Sequence, residues 1–274
     1  MKAPSHVIQP DTSLFHLDLP ALWHYRELLY FLVWRDIKVR YKQTVLGVGW
    51  AIIQPLMMMV VFTLVFGRFA KIPSDGLPYP IFAFAALLPW TYFSEALNRA
   101  SVSVVNETNL VQKIYFPRLL LPISGVVTPL VDFVPAFGVF LVMMVWYGIL
   151  PAWSVCALPI FVLLALLTAL SVSLWLSALN VKYRDVKHTI PFLVQLWLYA
   201  SPVVYPISLV PQEWRVLYSL NPMAGVVEGF RWALLNKESP DFAVVAVSAG
   251  VVVALLVGGL TFFNRMEQTF ADVI

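Results

Sequence analysis

The sequence predicts an all-α, polytopic membrane protein, and three observations carry that reading. Of its 274 residues, 60% are hydrophobic and 12% charged, whereas soluble domains average roughly 45–50% and 25%. Long runs carry no charge: residues 43–67 (QTVLGVGWAIIQPLMMMVVFTLVFG) would form a helix of roughly 37 Å, enough to cross a hydrocarbon core of about 30 Å with some tilt. Lysine and arginine are concentrated in the segments between such runs, where they fix orientation. The expectation is six transmembrane helices, an N-terminal amphipathic interfacial helix and two short re-entrant outer helices, all in one domain covering residues 1–274.

Residues 1–20 form a leader with Pro10, Asp11, Asp18 and Pro20, without the basic and apolar pattern of a cleavable signal. Residues 21–42 follow as the interfacial helix. Leu22, Tyr25, Leu28, Leu29 and Leu32 recur at helical spacing against His24, Arg26 and Glu27, a pattern that suits the inner leaflet. Arg35, Asp36, Lys38, Arg40 and Lys42 then anchor the first span, residues 43–67, at the cytoplasmic surface. The second span is residues 77–94. Residues 95–118, with Glu95, Arg99, Glu107, Lys113 and Arg118, are too polar for lipid and return to the cytoplasm. Residues 119–150 make the third span, charged only at Asp132, and residues 153–181 the fourth.

A small basic loop, residues 182–188, leads to the fifth span, residues 189–210, which Pro191, Pro202 and Pro206 kink or break. In residues 211–240 two short apolar helices, 212–220 and 223–235, flank the breaker Asn221-Pro222. Neither can cross alone, so both read as re-entrant or interfacial pieces on the outer side. The sixth span, residues 242–263, contains Gly250, Gly258 and Gly259, which suit close helix packing. Both termini then face the cytoplasm, with thirteen of the 18 basic residues inside and five outside, as the positive-inside rule requires.

Several chemistries are excluded or weakened. A phosphate-binding loop needs a Gly-Lys pair, and the chain contains none, so it does not hydrolyse ATP. Its four histidines form no HExxH, GxSxG and DxD are absent, and the lone Cys156 allows neither an internal disulfide nor a cysteine metal cluster. No metal site is expected. A net charge of +3 spread over connecting segments gives no support for nucleic-acid binding. Asp132, the one ionisable residue deep in a span, is either a pathway residue or a structural hydrogen-bonding partner. No carboxylate relay accompanies it, which disfavours the ion- or proton-coupled secondary transporter as an alternative class. Arg35-Asp36-Ile37-Lys38 and Arg184-Asp185-Val186-Lys187 precede the first and fifth spans. These spans run in the same direction, unlike the inverted halves of many secondary transporters. Most aromatic residues fit an interfacial belt, but Trp197, Tyr199, Tyr205 and Trp214 cluster on and beyond the broken fifth span. Their rings combine apolar faces with polar tips suited to sugars.

Asn109-Leu110-Val111-Gln112-Lys113-Ile114-Tyr115-Phe116-Pro117-Arg118 with Leu121-Pro122, then Tyr183-Arg184-Asp185-Val186, Ser201-Pro202-Val203-Val204-Tyr205-Pro206, Leu220-Asn221-Pro222-Met223, Gly229-Phe230-Arg231 and Glu267-Gln268-Thr269-Phe270-Ala271-Asp272 resemble the permease subunits of type-two ABC exporters. The likeness is greatest to those that export bacterial polysaccharides, O-antigen, capsule or teichoic acid, and it runs from about Tyr25 to the C-terminus. It implies a homodimer of permeases in the bacterial inner membrane, bound to two copies of a separate cytoplasmic ATPase. That partner would bind ATP and Mg, and this chain would hold no cofactor. The loop after the second span would enter a groove on the ATPase, which assigns coupling to Asn109, Lys113, Tyr115 and Arg118, with Arg35, Arg184 and Asp185 at the inner helix entrances. The first and fifth spans would line a path gated by the outer helices. By their own chemistry and placement, Trp197, Tyr199, Tyr205, Trp214 and Asp132 are the candidate path residues. The implied cargo is a lipid-linked glycan moved outward, and a drug or lipid exporter of the same family is the nearest alternative.

Overall fold

The computed structural model describes residues 19–42, 47–235 and 240–273, and every regular element among them is helical. Most of the expected leader, the start of the first span at 43–46 and residues 236–239 lie outside the described residues. Twelve α-helices follow in order: α1 (Leu19–His24), α2 (Arg26–Lys42), α3 (Gly49–Phe62), α4 (Tyr79–Asn106), α5 (Thr108–Lys113), α6 (Leu120–Val127), α7 (Leu130–Trp146), α8 (Leu158–Lys182), α9 (Val186–Tyr199), α10 (Gln212–Tyr218), α11 (Pro222–Leu235) and α12 (Phe242–Val273).

Four helical stretches among the described residues are long and apolar enough to cross a membrane: Gly49–Phe69, Leu120–Trp146, Trp153–Lys182 and Phe242–Gln268. They correspond to the first, third, fourth and sixth expected spans. The first widens after Phe62 into π-helical turns over Thr63–Phe69, and the Thr63 hydroxyl donates to the Met59 carbonyl at 2.7 Å where the geometry changes. The third breaks at Thr128-Pro129, between α6 and α7. The Thr128 hydroxyl donates back to the Ser124 carbonyl at 2.8 Å.

The second and fifth expected spans differ from this pattern for physical reasons. Helix α4 extends twelve residues past Ser94, to Asn106, and at about 42 Å it is long enough to cross. It is the axis of the bundle, buried along most of its length from Tyr79 to Val104. A helix wrapped in protein does not need the apolarity of one bathed in lipid, so Ser94, Glu95, Asn98 and Arg99 are tolerated. Gly125 on α6 brings its backbone against this axis, where a Cβ would lie 2.6 Å from the Ala100 Cα. Helix α9 has only 14 residues, roughly 21 Å, and the chain after Tyr199 runs through turns to a single 3-10 turn at Ile207–Leu209. The expected span 189–210 is therefore not one helix.

Three further expectations change. The stripe Leu22, Tyr25, Leu28, Leu29 and Leu32 packs against protein, in a cluster with Val111, Phe116, Leu120 and Phe270. Within α1 and α2, Trp23, Tyr30, Phe31 and Trp34 are left exposed. Apolar side chains thus surround α2 from Leu28 to Trp34, and the segregation runs along the helix, with Arg26 and Glu27 at its start and the remaining charges toward its C-terminal end. Helix α11 is buried on nearly every side, so it is a core helix and not an interfacial one, whereas α10 exposes Trp214, Val216 and Leu217. In α12, Gly258 and Gly259 take up the Trp175 ring, but Gly250 faces open space.

Candidate functional site

At one end of the bundle the segment 107–118 sits between α2 and the end of α12. Arg35 grips Glu107 with two nitrogens at 2.5 and 3.2 Å and also meets Asp36 at 2.9 Å. The Glu107 carboxylate holds the Arg35 guanidinium above its ordinary pKa, against partial loss of hydration. The Tyr25 hydroxyl reaches the Tyr115 carbonyl at 3.4 Å. Arg118 turns inward: its backbone N–H meets a Glu267 carboxylate oxygen at 3.2 Å and its guanidinium donates to the Glu267 carbonyl.

Asn109, Lys113 and Tyr115 lie exposed, as does Ile114, which sequence reasoning did not single out. Val111 and Phe116 on either side are buried, so Lys113, Ile114 and Tyr115 project as a knob from an anchored base. Arg184 and Asp185 are exposed on the turn between α8 and α9. That turn is held by buried Asn180, whose amide donates to the Ser101 carbonyl at 3.2 Å while its oxygen accepts from the Lys187 N–H at 3.2 Å. Asn180 gives no signal in the sequence, because a single asparagine near a helix end reads as solvated.

Asp132 does not stand alone. The Tyr41 hydroxyl donates to one carboxylate oxygen, and Arg40 Nη1 lies 2.6 Å from the other, near enough to pair but out of hydrogen-bonding alignment. The same nitrogen donates to Glu95 at 3.0 Å, and Glu95 also pairs with Arg99 at 2.7 Å. Two cations thus balance two anions on three elements, beside a cavity of about 100 Å³ lined also by Gln54, Trp90 and Thr91. Of the two readings of Asp132, the structure supplies the structural one with its partners. They were invisible in sequence because Arg40 and Glu95 lie in segments far from residue 132.

The aromatic candidates lie at the opposite end of α9. Trp197, Trp214 and Tyr218 line an open groove of about 350 Å³, walled also by Ala200, Leu217 and Asn221. The Trp197 indole donates to Asn221 Oδ1 at 2.9 Å and meets Phe93 edge-on at 5.1 Å. Tyr205 turns to protein: its hydroxyl lies 2.9 Å from that of Tyr218 and 3.3 Å from the Tyr199 carbonyl. Tyr199 is half exposed. Trp197 and Trp214 therefore share the groove with Tyr218, Tyr199 and Tyr205 are not among its lining residues, and Asp132 belongs to the other cavity.

Long apolar helices around a buried central axis, with an anchored knob toward one end and an aromatic groove toward the other, define a multi-pass membrane protein. The chain belongs to the ABC-2 type transporter family, whose model matches residues 27–235. It is 34% identical to the O-antigen export system permease protein RfbA of Myxococcus xanthus, over 92% of this chain and 97% of that one. Identity to RfbA of Klebsiella pneumoniae is 25%, over 90% and 95% of the two chains. To the polysialic acid transport protein KpsM of Escherichia coli it is 22%, over 85% and 91%. The chain is a permease subunit, in keeping with its lack of a phosphate-binding loop.

Proposed function

We propose that this permease moves a lipid-linked, O-antigen-like polysaccharide from the cytoplasm to the periplasm across a bacterial inner membrane. It works as a homodimer with two copies of a separate ATPase that binds ATP and Mg. The observation that carries the cargo class is the aromatic groove of Trp197, Trp214 and Tyr218, in a chain similar over nearly its whole length to a protein named for O-antigen export. Aromatic faces stack on the C–H faces of sugar rings while indole and phenol groups meet hydroxyls, and weak contacts of this kind let a long chain slide.

Six crossings accommodate the described elements, with α4 as the second and α9 plus residues 200–210 completing the fifth. Residues 211–240 then lie outside, and both termini inside. The little-buried face of the first span, with Trp50, Met57, Val61 and Val65 exposed, is left for lipid and for the second copy. The knob at Lys113, Ile114 and Tyr115 enters the ATPase, and Arg35, through Glu107, ties that contact to α2. In cells lacking this chain, undecaprenyl-linked glycan should accumulate inside and fall again when the chain is restored. Unchanged intracellular glycan on deletion would remove the polysaccharide reading.

A further inference from the structure

Arg231 heads the fully buried side chains of the described residues by size. A guanidinium held out of water is costly unless its charge and its donors are matched. Counted from sequence as one of the basic residues on the outer side, it lies inside the bundle, where both terminal nitrogens and its flat face are met while Nε has no hydrogen-bond partner among the described residues. Nη2 donates to the Val203 carbonyl at 2.8 Å, Nη1 donates to the Tyr205 carbonyl at 3.2 Å, and the guanidinium carbon sits 3.7 Å over the Phe82 ring. The carbonyl between these two, that of Val204, accepts from the Tyr79 hydroxyl at 2.7 Å.

Three successive carbonyls released by the break between Pro202 and Pro206 are therefore capped by α4 and α11. The other side of the break is held by the start of α11, where Asn221 donates to the Ala200 carbonyl at 3.0 Å and accepts from the Trp197 indole at 2.9 Å. Helix α11 thus grips the broken segment twice. Reaching two carbonyls two residues apart while lying flat on a ring demands a planar fork, which the compact ammonium of lysine lacks.

We propose that Arg231 is a positioning residue of the transport path, locking residues 203–205 to α11 so that the end of α9, α11 and the groove of Trp197, Trp214 and Tyr218 keep one arrangement and shift together. The assignment of that groove to the path rests on the function proposed above, whereas the lock itself is read without glycan or ATP. The test uses the purified complex of the full chain and its ATPase with exposed Cys156 replaced by serine. Cysteine is placed at buried Val204 or, as a distant control, at buried Met144 on α7, and maleimide labelling is timed.

Arg231→Lys should speed labelling at position 204 by about tenfold or more, leave position 144 unchanged and lower export per ATP hydrolysed several-fold. Unchanged labelling at position 204 overturns the proposal, as does equal acceleration at both positions, which marks a residue that merely supports packing. If Arg231→Lys does not accumulate, Phe82→Leu removes the ring beneath the guanidinium, keeps an apolar wall and carries the same test. Faster labelling at position 204 with normal export keeps the lock and removes the groove from the path.

Discussion

Asp132 shows what a single residue conceals in sequence. An acid inside an apolar helix marks itself out, but its meaning depends on Arg40, Tyr41 and Glu95, brought to it by folding across long stretches of chain. Breaking a partly buried pair from one side strands a charge, while replacing both sides with apolar groups can be neutral. Arg40→Met or Asp132→Leu alone should lower the stability of the detergent-solubilised protein by on the order of 2 kcal/mol, and the double variant should recover most of it. Additive losses in thermal unfolding would show that the two residues do not work as a pair.

At the scale of elements, most helices were legible because each charge-free run or apolar stripe has its own period. Helix α10 and helix α11 lie where the sequence puts two short helices around Asn221-Pro222. What the sequence did not show was the company each helix keeps. The stripe on α2 was read as facing lipid, yet a row of leucines fits a protein groove as well as an acyl chain. Helix α11 reads as one-sided but is enclosed, and α4 is too polar for lipid because it is buried among other helices. Residues 107–118 divide the same way: Arg118 is tied to Glu267, while Lys113, Ile114 and Tyr115 project. Ile114→Asp should weaken binding of the ATPase about tenfold or more while leaving thermal stability unchanged, and Arg118→Glu should do the reverse. Equal ATPase affinity for Ile114→Asp and the unaltered chain would take the knob out of the interface.

The knob beside α2 and the end of α12, and the aromatic groove beyond α9, lie toward opposite ends of one bundle. Helix α4, buried along most of its length, runs through both cores, from Tyr79 near the groove to Val104 beside the knob. Under the proposed function the aromatic groove meets the cargo, and the partly buried Asp132 carboxylate is tied to Arg40 and Tyr41. Trp197→Ala with Trp214→Ala should therefore cut glycan export at least several-fold while leaving protein level and basal ATP hydrolysis near normal. A loss of export no greater than the loss of protein would return both rings to packing. ATP-driven export can be followed in inside-out membrane vesicles that carry this chain and its ATPase, as labelled lipid-linked glycan enters the lumen after ATP is added with the proton gradient collapsed. Transfer should require ATP and continue without the gradient. Glycan that stays outside with ATP present, or transfer that stops as soon as the gradient collapses while ATP is held constant, would contradict ATP-driven export.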